Sequence, residues 1–193
     1  GVVNQTEYNY TVSYANAICY DMPHQVNYSV SWRYYDFIDQ PDTAADAQEI
    51  VGSFSMPNIC EWGIVPSYTI IKMWADESDS AASSLSGWIH VIGLDYPLTV
   101  PGFIPDNPEQ VLNLKWDLTY NGSAGVPGTR NAAGVITPSN VDHDWSHMTW
   151  GVTTDIEVGP GTFTPGLFYQ TSMDDSVNTE DEFWTGLNYT MSF

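Results

Sequence analysis

Asp142, His143, Asp144 and His147 form the densest group of ligand-type side chains in the 193-residue chain. Imidazole and carboxylate together suit a transition metal. On a regular strand His143 and His147 share a face but stand about 13 Å apart, so only a turn brings them together. The same residues equally suit a hydrogen-bonded loop cap. A second acidic group, Asp174, Asp175, Glu180, Asp181 and Glu182, offers oxygen ligands for weakly bound calcium. Its spacing is not that of an EF-hand and the required Gly is absent, so a solvated acidic loop is the plainer reading. Cys19 and Cys60 are the only cysteines; neither lies in a CxxC, and no Cys/His zinc spacing occurs. In an oxidising compartment the two can pair; otherwise they are separate thiols. No nucleophile elbow, phosphate loop or paired catalytic carboxylates stand out. The chain is therefore expected not to be an enzyme, and to hold no cofactor beyond weakly bound calcium.

Charge narrows the partners. Asp plus Glu total 24 against four Lys plus Arg, for a net charge of −20. Such a surface repels nucleic-acid phosphates and attracts cations. An acidic coat that keeps a protein soluble in salty water is the competing reading. No stretch approaches the ~20 consecutive apolar residues of a membrane helix, and an aromatic content of 14% argues against disorder.

The elements that must position these groups are strands. Tyr8, Tyr10, Val12 and Tyr14 alternate with small polar residues, as do Val26, Tyr28, Val30, Trp32 and Tyr34. A shorter run follows at Ile50–Met56 and a fourth at Trp62–Trp74, with Lys72 interrupting its apolar set, and the stretch Trp88–Tyr96 is ambiguous in register. Leu112–Tyr120, Met148–Val158, Phe163–Met173 and Phe183–Phe193 alternate most cleanly, giving nine strands and no competing helix. Five N-x-S/T triplets occur, but those at Asn9, Asn27 and Asn188 fall within these strands, where a glycan is hard to place.

The connections alternate in kind. Those around Asp36–Glu49, Asp76–Ser86, Gly122–His147 and Asp174–Glu182 are long and polar, and hold 15 of the 24 acidic residues. Those around Cys19–His24, Pro57–Trp62 and Gly159–Gly161 are short, and only the Pro-rich stretch Pro97–Pro108 breaks the rhythm. Long loops at one end and short turns at the other is the asymmetry of outer-membrane barrels. The polar faces carry Ser, Thr, Asn and Gly rather than Lys and Glu, which suits the inside of a narrow barrel. Arg33, Lys115, Asp117, Asp155 and Glu157 lie on those faces and must pair or line water there. Trp62 and Trp74, twelve residues apart, would span roughly 28 Å at a ~45° tilt, about the distance between two aromatic girdles. Lys72 between them either reaches for the interface or marks a bulge.

The last nine residues, Thr185-Gly186-Leu187-Asn188-Tyr189-Thr190-Met191-Ser192-Phe193, resemble the terminal β-signal of Gram-negative outer-membrane proteins. Phe193, Met191 and Tyr189 stand at its alternating apolar positions and Gly186 at its upstream glycine. More loosely, Asp142–His147 and Asp174–Trp184 are similar to stretches of uncharacterised porin-like proteins of planctomycete-type marine bacteria. The resemblance implies insertion by the barrel-assembly machinery, with the chain's end in the periplasm and the acidic loops outside the cell. It also implies an even strand count, so a strand is expected before Gly1 unless one was missed or split.

The expectation is thus an all-β, antiparallel up-and-down transmembrane β-barrel. Residues 1–193 would form one domain, the C-terminal part of a longer barrel in the bacterial outer membrane. Its partners would be membrane lipid, the assembly machinery and small hydrophilic solutes or cations, with homo-oligomer formation open and nucleic acid excluded. The function expected first is a mildly cation-selective porin-like channel. A structural or adhesive outer-membrane protein with a closed lumen and acidic binding loops is the first alternative, and a secreted β-sandwich binding module the second.

Overall fold

The computed structural model describes residues 6–38, 46–76, 86–102, 108–125, 129–130, 136–137, 143–174 and 180–191. All regular structure among them is β, as the period-two alternation requires, and none of it is a helix able to cross a membrane. The strands are β1 (Tyr8–Ile18), β2 (Val26–Asp36), β3 (Ala47–Ser55), β4 (Val65–Ala75), β5 (Gly87–Pro101) and β6 (Glu109–Gly122). Two-residue strands β7 (Thr129–Arg130) and β8 (Ile136–Thr137) come next, then β9 (His143–Thr154), β10 (Ile156–Val158), β11 (Gly161–Ser172) and β12 (Glu182–Met191). Apart from the small β7–β8 ladder they make one ten-stranded antiparallel sheet. Since β10 continues β9 in the same register against β11, the sheet is a meander of nine strand-lengths, each paired with its neighbours in sequence. The sheet is not closed: β1 pairs with β2 and β12 with β11, and among the described residues neither has a second partner.

Two expectations about extent are corrected. Trp62 lies in a turn, separated from β4 by Gly63 at φ +81°, so Trp62 and Trp74 do not mark the two ends of one strand. The Pro-rich stretch begins as strand, for β5 runs on to Pro101, and the Gly102 amide donates to the Pro108 carbonyl at 3.0 Å. Beyond Asp95 the strand has lost β4 as a partner and is paired through β6 alone, so Pro97 and Pro101 are tolerated there. The rhythm of the connections is therefore unbroken, with the short ones at 19–25, 56–64, 102–108 and 159–160 at one end and the long segments at the other.

The two faces differ in kind. One carries Tyr10, Tyr34, Trp32, Ile50, Ile70, Trp88, Leu118, Met148, Leu167 and Leu187 in register from strand to strand. This apolar face is open, with Val12 68% and Leu187 75% exposed. Among the described residues only Ala47 and Ala124 are fully buried apolar groups, whereas Asp46, Glu49, Gln110, Thr119, Asn121, Ser146 and Thr154 are buried polar ones. A water-soluble sheet protein has the opposite distribution.

The strands are also staggered. One line of register partners runs Asn16, Tyr28, Phe54, Tyr68, Ile92, Leu118, Met148, Thr171. It starts two residues from the short-turn end of β1 and arrives ten residues from that end of β11, a slip of eight over seven steps. Roughly one residue of slip (~3.3 Å) per ~4.8 Å strand spacing corresponds to a tilt of about 35°.

Candidate functional site

The polar face is where the charged side chains gather. Arg33 on β2 lies between its register partners Thr11 and Glu49. Its Nη1 is 3.3 Å from Glu49 Oε1 and donates to the Tyr35 hydroxyl at 3.1 Å, while its Nε donates to Thr11 Oγ1 at 3.2 Å. The guanidinium thus links three neighbouring strands. On β6, Lys115 Nζ is 3.3 Å from Asp117 Oδ2, and Asp95 on β5 stands opposite Lys115. Closer to the short turns, Asp155 Oδ1 accepts from Thr164 at 2.6 Å and Glu157 Oε1 from Thr162 at 3.1 Å. All five charges expected on this face lie on it. Glu49 and Asp95 join them and were missed, the first beyond the expected start of β3 and the second in the strand of unresolved register.

An aromatic pair shares the face. Phe168 and Trp184 are register partners on β11 and β12, stacked at 5.4 Å between centroids and 14° between planes. The Phe168 ring lies over three glycines on three strands. A Cβ at Gly166, Gly151 or Gly186 would come within 2.7, 2.9 or 3.2 Å of its atoms. At the long-loop end, Asn121 and Ala124 bond each other twice, Nδ2 to O at 2.6 Å and N to Oδ1 at 2.7 Å. This fold-back seats Ala124 on Gly87, where no side chain would fit.

The proposed metal ligands are not brought together. Tyr120 faces Trp145 but Thr119 faces His147, so Ser146 is an extra residue in β9. This bulge reverses the alternation: His147 lies on the polar face and His143, opposite Gly122, on the apolar one, correcting the expectation that they share a face. His143 Nε2 is 2.8 Å from Ser123 Oγ, and His147 Nδ1 2.8 Å from Ser146 Oγ. Asp144 Oδ1 accepts from the Trp145 amide, and Asp142 lies outside the described residues. Among those residues no three His, Cys, Asp or Glu converge on a metal position.

Of the calcium candidates, Asp175 is outside the described residues; Asp174, Glu180 and Glu182 lie at or beside the β11–β12 ends. Asp181 is committed elsewhere: it accepts from the Ser172 amide at 2.8 Å and the Tyr169 hydroxyl at 3.0 Å. No disulfide joins Cys19 and Cys60 in this structure. Their two turns are joined instead by Asn58, whose Nδ2 donates to the Met22 carbonyl at 3.2 Å and to Gln25 Oε1 at 3.3 Å. Cys19 itself is exposed, in a left-handed turn conformation at φ +54°. At the chain's end Tyr189 and Met191 lie on the apolar face of β12, Tyr189 donating to the Val158 carbonyl at 3.1 Å; Phe193 is outside the described residues.

Compared with protein-family models, curated proteins and solved structures, the chain matches none.

Proposed function

We propose that the sheet is the wall of an outer-membrane β-barrel that passes small hydrophilic solutes, cations ahead of anions. The observation that carries this reading is the uncovered apolar face: nine strand-lengths of Tyr, Trp, Val, Ile and Leu with polar residues as the buried class. In lipid that face has a solvent, and the paired backbone has no unmet polar groups except at the edges. A stagger equivalent to about 35° is close to the tilt that closing a barrel demands. A sandwich would need a second layer on the apolar face, and the described residues supply one main sheet.

Closure has a directional condition. β1 and β12 both run from the long-loop end to the short-turn end, so joining them directly would make a parallel pair. An antiparallel seam takes a further strand running the other way, which a segment before Gly1 supplies if these residues are the C-terminal part of a longer barrel. The polar face then lines the lumen. Its carboxylates, Glu49, Asp95, Asp117, Asp155 and Glu157 among them, outnumber Arg33 and Lys115 and favour cations.

A second reading has its own support. The Arg33–Glu49 and Lys115–Asp117 pairs and the Phe168–Trp184 stack occupy the polar face, and a barrel of few strands is filled by such side chains. The protein is then a structural or adhesive one with a closed lumen. Reconstitution into planar bilayers decides between them: discrete conductance with a cation-selective reversal potential supports the channel. A detergent-extracted, heat-modifiable protein without conductance supports the plug, and a protein that stays monomeric and soluble in plain buffer removes both.

A further inference from the structure

Of the three Lys and Arg residues on the described strands of the main sheet, Arg33, Lys72 and Lys115, only Lys72 stands on the apolar face. Lys72 on β4 is flanked by Ile50 on β3 and Trp88 on β5, and neither ladder slips register there. The lysine therefore truly shares the face of Ile70 and Trp74, and no bulge turns it inward. Its Nζ sits 5.2 Å from the centroid of the Trp88 ring. Among the described residues no carboxylate is within ion-pair distance of it, although the chain carries 24. His90, two residues beyond Trp88, stacks on Tyr68 at 6.1 Å and leaves this patch framed by rings.

Height decides what such an ammonium can meet. Lys72 is three residues from Ala75, the last of β4, so with the tilt above it lies about 8 Å below the long-loop end. A lysine at the bilayer midplane costs ~2–4 kcal/mol but close to nothing near the interface, which its stem can reach. A freely dissolved anion has little reason to approach a molecule of net charge −20. An anion that carries its own acyl chains has one, because those chains can lie along the Ile50 and Ile70 surface while its phosphate meets the ammonium.

We propose that Lys72, backed by Trp88, is a docking point for the phosphate of an anionic lipid in the leaflet on the long-loop side. The inference rests on the membrane reading above. It is tested by native mass spectrometry of the full chain released from neutral detergent, with phosphatidic acid or phosphatidylcholine added in equal amounts. One phosphatidic acid should be retained per chain and phosphatidylcholine at least five-fold less. Lys72→Gln should abolish that preference and Lys72→Arg, which keeps the charge, should preserve it. Equal retention of the two lipids, an unchanged preference in Lys72→Gln, or displacement by millimolar inorganic phosphate overturns the site. Flotation of the unaltered chain with pure phosphatidylcholine vesicles separates the two levels. Flotation without phosphatidic acid preference sinks this site alone, and no flotation removes it together with the membrane reading.

Discussion

The Asp46 carboxylate holds the Tyr34 hydroxyl at 2.9 Å and the Phe37 amide at 3.0 Å, and Asp181 holds Tyr169 and the Ser172 amide in the same pattern. In both hairpins the aspartate immediately precedes the return strand, twelve residues after the tyrosine and nine after the amide. The β2–β3 and β11–β12 hairpins thus share one clasp at the long-loop end. Asp46 is fully buried, and removing it strands both donors. Asp46→Ala is expected to cost about 2–3 kcal/mol and Tyr34→Phe about 1, with less for the exposed Asp181 and Tyr169. Urea unfolding in detergent, followed by tryptophan fluorescence, measures the order; equal small losses at both clasps would refute it.

The glycine bed under Phe168 gives a steric prediction. Gly166→Ala and Gly151→Ala place a methyl within 2.7 and 2.9 Å of the ring, and Gly186→Ala within 3.2 Å. The first two should destabilise by about 1–3 kcal/mol and disturb the Trp184 stack, visible in near-ultraviolet circular dichroism; the third should cost less. Phe168→Leu should recover part of the loss in the Gly166→Ala background.

Thiol titration checks the turns. Denatured protein prepared without reductant should show two reactive thiols per chain, unchanged when reductant is added, and in the folded protein Cys19 should react faster than the less exposed Cys60. A rise in thiol count on reduction would restore the cysteine bridge.

Charges on the polar face should act in opposite senses if solutes pass along it. Lys115→Gln should raise, and Asp117→Asn lower, the cation-to-anion permeability ratio, each by about two-fold. Reversal potentials across a salt gradient read this directly, and shifts of the same sign would contradict a lumen lined by this face.

The resemblance of Tyr189, Met191 and Phe193 to a β-signal offers an assembly test. Phe193→Ala in a Gram-negative host should leave unassembled protein in the periplasm, whereas loss of one apolar contact near a terminus would cost folded-state stability little. Normal accumulation of the variant in the outer membrane would count against the β-signal.

Strand positions were legible wherever small polar and large apolar residues alternated without interruption, as in β1, β2, β6, β11 and β12. The misreadings fall at particular backbone events. Gly63 ends β4 before Trp62, although the two-residue period continues through it in the letters. The bulge at Ser146 left a trace, since apolar positions change from odd (Trp145) to even (Met148), but two histidines four apart looked like one face. Asp95 stayed hidden because Gly93 and Pro97 blur the alternation of β5, and only the ladder to Lys115 places it. The paired clasps needed the register too. A twelve-residue spacing between a tyrosine and an aspartate says nothing until the strands on either side are known to pair.

Among the described residues every ladder of the main sheet joins strands that follow one another within it, so none of these ladders waits for a distant segment. Assembly can therefore proceed as a zipper, one hairpin added to the edge left by the last, with loop-closure entropy met one connection at a time. A chain shortened by whole hairpins from its N-terminal side would lose those ladders and keep all the others. The sheet is modular in length, and its width is a quantity that gain or loss of hairpins can change without redesigning what remains.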